Sequence, residues 1–488
     1  MLGSGARLPG TPSSGELPVS IEEREGRAFV GQRAPKTPRW ALLAVAVLLP
    51  FFGATALAVE RADIIVTNAM VVTMNDQRDV FSPGAVVIRG DRIVAVGPAV
   101  VARAFKASRV IDAKGDIVMP GMINTHTHAA MSVFRGLGDD VADRLRRFIW
   151  PLEEKVVDAD LVYWGALHGL VEMVEGGVTT FVDSYPHPES TTRAAQNIGI
   201  RGVITYGVRD DDLAPVRKFA EAHRNDPLII PAIGLHSPYG NTAEQIRQAA
   251  ALSRELDLRV SMHVSEMDYE VAELKEKYNQ TPVEYLHSLG LLSPRFLAAH
   301  CIFLTDGDIA LLKANDVGVA HNMVANIKSA KGVAPVLKLR AAGVRVGLGT
   351  DGAMSGNTLD VIGQLGYVAK VHKLANHDRT AMPAIDVVEL ATIGGARALH
   401  LEDRLGSLEK GKLADLIVVD TTSTSMVPLY DPYTALVYAA SPRDVRITII
   451  NGREVLRDRR LTSVDKRDVQ NHVRALMNKI QSIADTLK

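Results

Sequence analysis

Cysteine is almost absent: Cys301 is the only one in 488 residues. That excludes a disulfide framework within the chain and zinc sites built from clustered thiolates. Excess charge of either sign is missing too, with 55 Lys and Arg against 56 Asp and Glu and a formal net charge of −1. Nothing in that balance points to a nucleic acid or to an anionic membrane surface. The remaining composition, 47% hydrophobic and 23% charged, is that of a globular protein with a large core. The length predicts two or three structural units.

Long apolar runs are scarce, with one exception. Residues 1–39 are rich in Gly, Pro, Ser, Arg and Glu without periodicity and read as a disordered leader. Trp40 to Val59, "WALLAVAVLLPFFGATALAV", then carries no charge. Arg33, Lys36 and Arg39 precede it, and "ALA" (56–58) ends it. A positive flank, an apolar stretch and a small-residue site describe a secretory signal. The stretch is also just long enough to span a bilayer as an uncleaved anchor. A buried helix is the plainer reading, but beside a disordered leader it has nothing to pack on. Positive-inside orientation then puts the rest of the chain outside the cytoplasm, periplasmic or anchored to the inner membrane, with a cytoplasmic chain as the alternative. No Arg-Arg pair precedes the stretch, which argues against a twin-arginine signal.

From residue 60 to 116 strand follows strand, as in "DIIVTNAMVVTM" and "GAVVIRGDRIVAVG", with Gly90 and Asp91 as a turn. From 117 to 405 short apolar runs alternate with longer amphipathic stretches. The runs are "DIVMPGMINTH", "TTFVDSY", "IRGVITYG", "LIIPAIGLH", "LRVSMHV", "FLAAHC", "VGVAHN" and "RVGLGTD". Eight such repeats predict a (β/α)8 TIM barrel of the α/β class. Residues 406–460 return to strands, which are expected to join 60–116 in one composite β-sandwich. Residues 461–488 read as a C-terminal amphipathic helix.

Chemistry-bearing residues fall at the ends of the predicted barrel strands, where barrel active sites sit. The first run ends in His126 and His128, which share a face at i, i+2. The fifth ends in His263, the sixth in His300 and the eighth in Asp351. A strand end often carries one polar residue because it meets solvent. Three strands ending in His and a fourth in Asp exceed that, and imidazoles with a carboxylate are good ligands for a divalent metal.

These residues also carry a resemblance. "MPGMINTHTHAAMSVFRG" (119–136), "FIWPLEEKV" (148–156), "GVTTFVDSY" (177–185), "HSPY" (236–239), "MHVSE" (262–266), "AHC" (299–301), "GLGTDG" (347–352) and "GSLEKGKLADLIVVD" (406–420) stand in this order. In them the chain resembles the amidohydrolase superfamily, in the branch of adenosine-type deaminases and triazine hydrolases. "HTHAAMS" and "WPLEE" are similar to methylthioadenosine/S-adenosylhomocysteine deaminases. The resemblance implies one divalent metal ion, zinc or else iron, held by His126, His128, His263 and Asp351. Two-metal relatives carry a lysine at the end of strand four; here that strand ends "AIGLH". Hydroxide on the metal would attack a ring carbon bearing a leaving group. Glu266 would protonate the ring nitrogen, His300 would orient the hydroxide, and Asp351 would pass its proton to the leaving amine. Glu153, His236 and Arg209 are the expected substrate contacts. Strand seven reads "HNMVAN" (321–326), where relatives usually have His-Asn-Pro-x-Ser-Asn, which leaves the exact substrate open. Cys301 is expected in the core.

The function so implied is a metal-dependent hydrolytic deaminase of an amino-substituted heteroaromatic, an adenosine-type nucleoside, releasing ammonia. A triazine-type hydrolase removing chloride or an alkylamine is the enzymatic alternative. A non-catalytic periplasmic binding protein is the alternative of another class. The expected partner is a small molecule and not a nucleic acid, the expected assembly is a homo-oligomer, and residues 40–59 leave membrane association open.

Overall fold

Every one of the eight apolar runs supplies a barrel strand in the computed structural model, which describes residues 59–208 and 212–487. The barrel strands are β1 (Met122–Thr127), β2 (Val178–Asp183), β3 (Arg201–Gly207), β4 (Ile229–Gly234), β5 (Arg259–Val264), β6 (Phe296–His300), β7 (Gly318–His321) and β8 (Arg345–Leu348). They pair in parallel in chain order from β1 to β8. Across the seam Thr350 and Asp351 N–H groups donate to the His126 carbonyl at 3.1 and 3.0 Å, and the Thr125 hydroxyl to the Leu348 carbonyl at 2.8 Å. Strands β1, β2, β6 and β7 are buried along their whole length, as in a parallel sheet covered on both faces. Ile123, Val182, Val203, Ala232, Leu297 and Ala320, each from a different strand, pack in one cluster with the helix Ile393–Ala398.

The intervening helices begin where the local sequence offers a cap. Asp158 accepts the Leu161 N–H ahead of Ala159–Glu175, and Thr242 with Gln245 forms a capping box ahead of Ala243–Leu256. The C-terminal amphipathic helix spans Lys466–Ala484 and packs on Ala159–Glu175, with His472 stacked on Trp164 at a centroid distance of 3.5 Å.

Both ends of the described chain build one second sheet. Glu60–Val72 pairs with Val80–Arg89 on one side and with Phe105–Asp112 and Ile117–Pro120 on the other. Leu416–Val419 joins it antiparallel to Ile117–Pro120, and Val445–Ile450 and Arg453–Arg457 extend it. The sheet folds over an inner core of Ile64, Val66, Val86, Ile88, Val118, Val418 and Ile447. Arg201 at the start of β3 ties barrel and sheet together. It is 1% exposed and holds both Asp415 carboxylate oxygens, at 3.1 and 3.2 Å.

One expectation is corrected. The first run, Asp116–His126, holds two strands and not one, so the barrel opens at Met122 and Ile117–Pro120 belongs to the composite sheet. Pro120 has no N–H to continue a ladder. Gly121 crosses where a Cβ would lie 2.1 Å from the Thr179 side chain, and its N–H leaves for the Asp415 carbonyl at 3.0 Å. The leader 1–39 and nearly all of 40–59 lie outside the described residues, as does Arg209. Among the described residues no helix is long and apolar enough to cross a membrane.

Candidate active site

Four strand ends deliver their polar residues to one point. His128 Nε2 lies 3.3 Å from Asp351 Oδ1 and 3.3 Å from His263 Nε2. His126 Nε2 lies 3.9 Å from the same Asp351 oxygen. Ligand atoms of His126, His128 and Asp351, and likewise of His126, His263 and His300, lie within 4.8 Å of one another. A tetrahedral ion with metal–nitrogen bonds of about 2.0 Å spaces its ligand atoms about 3.3 Å apart.

The ring nitrogens are presented for a cation. His128 Nδ1 lies 2.6 Å from the Ser184 carbonyl, and His263 Nδ1 lies 2.7 Å from the His236 carbonyl. A carbonyl only accepts, so each Nδ1 carries a proton and each Nε2 points inward, where it can offer its lone pair to a cation once it holds no proton of its own. Neither ring nitrogen of His126 has a hydrogen-bond partner among the described residues, although the residue is 1% exposed. A buried imidazole without partners is costly unless something outside the protein satisfies it. The donor set therefore fits a single divalent ion.

Electrostatics agree. Burial alone pushes the Asp351 carboxyl up, but the His128 hydrogen bond and charge, with His300 and His126, hold it well below the carboxylate range. Burial pulls His128 down, and Asp351 outweighs it and raises the imidazole to about 9. A proton shared by these two groups occupies the position that a cation contests. Burial keeps His263 neutral, at about 3.

The glycines of "GLGTDG" are set by close approach. A Cβ on Gly349 would lie 2.2 Å from Asn322 Oδ1 and 3.0 Å from the His126 Cβ, and one on Gly352 would lie 2.6 Å from Met131 Sδ. His300 and Asp351 have φ of 73° and 59°. Both side chains are thus aimed by left-handed backbone, a strained state that clusters at functional sites.

Around this point lies a cavity of about 1150 Å³. His128, His263, Glu266 and Asp351 line it, with Glu153 and His236, both expected from the sequence. Glu153 Oε1 accepts the Tyr185 hydroxyl at 2.5 Å. His236 packs against Trp150 and His263, at centroid distances of 5.6 and 5.3 Å. Glu266 is held by its neighbour Glu270, whose carboxylate accepts the N–H groups of Ser265 and Glu266 at 2.8 and 2.9 Å. His300 Nε2 lies 3.7 Å from Glu266 Oε1, and His300 Nδ1 lies 2.8 Å from Asn326 Oδ1. Cys301 is fully buried, and burial pushes its thiol up.

Sequence reasoning missed Lys331, whose ammonium pairs with Glu266 Oε1. It sits in a loop with no periodic signal. Sequence reasoning also missed Tyr185 as the partner of Glu153. The role of Asn326 was within reach, since it ends the "HNMVAN" run that comes one repeat after the sixth strand's histidine.

A (β/α)8 barrel with a histidine–carboxylate constellation at its strand ends is the architecture of a metal-binding barrel hydrolase. The chain belongs to the amidohydrolase family, whose profile matches residues 117–455. It is 41% identical over 435 residues to a 5-methylthioadenosine/S-adenosylhomocysteine deaminase of Syntrophobacter fumaroxidans, covering 86% of this chain and 99% of that protein. It is 38% identical over 420 residues to a 5'-deoxyadenosine deaminase of Methanosarcina mazei, covering 84% and 96%. Among solved structures, an adenosine deaminase of Xanthomonas campestris with bound zinc superposes with a TM-score of 0.84 at 32% identity, over 87% of this chain and 99% of that one. An atrazine chlorohydrolase of Arthrobacter aurescens complexed with zinc shares the fold, with a TM-score of 0.78 at 24% identity over 85% and 100%.

Proposed function

We propose that the protein is a zinc-dependent deaminase of an adenosine-type nucleoside with a substituted 5' position. The observation that carries this reading is that His128, His263, Asp351 and Glu266 line one wall of a cavity large enough for a nucleoside, with His126 and His300 buried directly behind them. Relatives named as deaminases of methylthioadenosine, S-adenosylhomocysteine and 5'-deoxyadenosine support it, and the zinc-bound neighbour supports the choice of metal. His126, His128, His263 and Asp351 would hold the ion, which when bound supplies a water acidified toward neutrality.

The remaining work belongs to side chains. Burial raises the Glu266 carboxyl, but His300 and Lys331 outweigh it and bring it to about 2. It is therefore ionised at neutral pH and takes up a proton from the attacking water before giving one to the ring nitrogen. His300, fixed through Nδ1 by Asn326, presents Nε2 to the same region. Asp351 carries the second proton to the leaving amine. Glu153 is oriented by Tyr185 toward ribose hydroxyls, and His236 closes the wall behind the base.

The test is ammonia release by the purified, zinc-loaded chain across a panel of 5'-substituted adenosines, adenosine, aminopterins and triazines. Release from the 5'-substituted adenosines is expected. Turnover confined to triazines, or none at all, overturns the reading.

Export or anchoring through residues 40–59 is also part of the proposal and rests on the sequence pattern alone. N-terminal sequencing of the protein from its host is expected to begin near Val59, or the full chain to sediment with membranes. An intact 488-residue chain in the soluble cytoplasmic fraction removes it. A homo-oligomer is proposed as well, and light scattering of the purified protein decides it.

A further inference from the structure

One short segment after β7 reaches both catalytic groups that do not ligate the ion. Asn326, in the helix Met323–Lys328, meets His300 Nδ1 at 2.8 Å. Five residues on, Lys331 pairs with Glu266 Oε1, and its own N–H returns to the Asn326 carbonyl at 3.0 Å. The oxygen that Lys331 holds is also the one 3.7 Å from His300 Nε2. The Lys331 side chain is 15% exposed and that of Glu266 10%, so the pair is largely removed from water, and both residues line the cavity. A carboxylate on a rotatable stem has several orientations, and an ammonium on one of its oxygens selects one of them.

We propose that Lys331 is a positioning residue for the reaction: it fixes Oε1 of Glu266 against His300 and leaves the other carboxylate oxygen to exchange the proton with the substrate's ring nitrogen. The inference rests on the reading of Glu266 as proton carrier. Among the described residues the Lys331 ammonium hydrogen-bonds Glu266 and no member of the ligand constellation, and Asp351 feels its charge only through space. Lys331 also sets a local condition on the substrate. An anionic substituent brought to this wall would compete with Glu266 for the ammonium and pull the carboxylate off its orientation.

The experiment is a double-mutant cycle in the zinc-loaded full chain, with K331M, K331R, E266Q and K331M/E266Q. In K331M, kcat is expected to fall about 10–100-fold, the scale of a misplaced catalytic group, with KM changed much less. K331R is expected to recover most of the loss because it restores an anchored positive charge. In the E266Q background the Lys331 change is expected to cost little more, since the group it positions is already disabled. A kcat for K331M equal to wild type, or losses that multiply in the double variant, overturns the proposal. Thermal unfolding supplies a readout independent of turnover. K331M leaves the buried Glu266 carboxylate without its ammonium and should lower Tm, and the double variant should recover part of that drop. Should wild type release no ammonia from any compound, the proposed function falls, while recovery of Tm in the double variant still supports the pairing and its absence overturns it.

Discussion

Glu266→Gln separates catalysis from binding. The amide keeps the size of the carboxylate, its oxygen can still accept from Lys331, and its NH2 can still donate to a ring nitrogen. What it cannot do is carry a proton. Losing a general acid–base group costs typically about 10²–10⁴-fold in rate, or roughly 3–6 kcal/mol of barrier at about 1.4 kcal/mol per tenfold. The expected result is a fall in kcat of that size with KM changed only slightly. Zinc content should stay constant, because Glu266 belongs to neither ligand group. The assay is steady-state ammonia release together with elemental analysis of the same sample. Equal losses in kcat/KM through KM alone would mean that Glu266 only binds. Loss of the ion with the carboxylate would make it a ligand, and an unchanged kcat would make it a bystander.

Three further outcomes are expected. His263→Ala should lose the ion and the activity together, and elemental analysis of wild type should give one divalent ion per chain; two ions, or none after growth with zinc, refutes the site. Asp415→Ala leaves the buried Arg201 guanidinium without its carboxylate, and breaking such a pair from one side costs about 3–5 kcal/mol, readable as a lowered urea midpoint. Burial raises the Asp360 carboxyl, against its cap bond from Gly363, to about 7. A raised acid binds its proton more tightly folded than unfolded, so this group's contribution is favourable below about pH 4 and is lost as pH rises to 7. Asp360→Asn keeps the cap and removes the charge, so its Tm should match wild type near pH 4 and exceed it at pH 8; a lower Tm at pH 8 refutes this.

The barrel was legible because its strands are short, apolar and buried on both faces, and because each chemical residue stands at a strand end. His126, His128, His263, His300 and Asp351 could be picked out from that position alone. The boundary at 117–127 was not legible. Whether Ile117–Pro120 belongs to the barrel depends on Leu416–Val419, almost three hundred residues away, and local pattern holds no record of that partner. Lys331 was hidden for a related reason. Its meeting with Glu266 depends on how the loop after β7 folds back, with Ala330 in left-handed backbone at φ 52°. Glu153 could be found from its motif, but its orientation could not, since Glu153 lies in the helix Trp150–Val156 and Tyr185 follows the end of β2.

Ser265 shows how the site's geometry bears on stability. It lies one residue past β5, between His263 and Glu266, the proposed ligand and the proposed proton carrier, with φ of 50°. It is fully buried, and its hydroxyl has no hydrogen-bond partner among the described residues. Left-handed backbone disfavours any residue with a Cβ by about 1–2 kcal/mol, and an unsatisfied buried hydroxyl adds about 1–3 kcal/mol. Glycine removes both terms and adds roughly 1 kcal/mol of chain entropy to the unfolded state. The balance favours Ser265→Gly, which is expected to unfold at a higher temperature than wild type. The Ser265 N–H bond to Glu270 and the Ser265 carbonyl's bonds from Ile302 and Phe303 are backbone and survive the change. A lower Tm for Ser265→Gly would show that the hydroxyl is satisfied by bound water and that the turn carries no strain. A higher Tm with reduced kcat would show that the serine is kept because its Cβ stiffens the turn that aims Glu266.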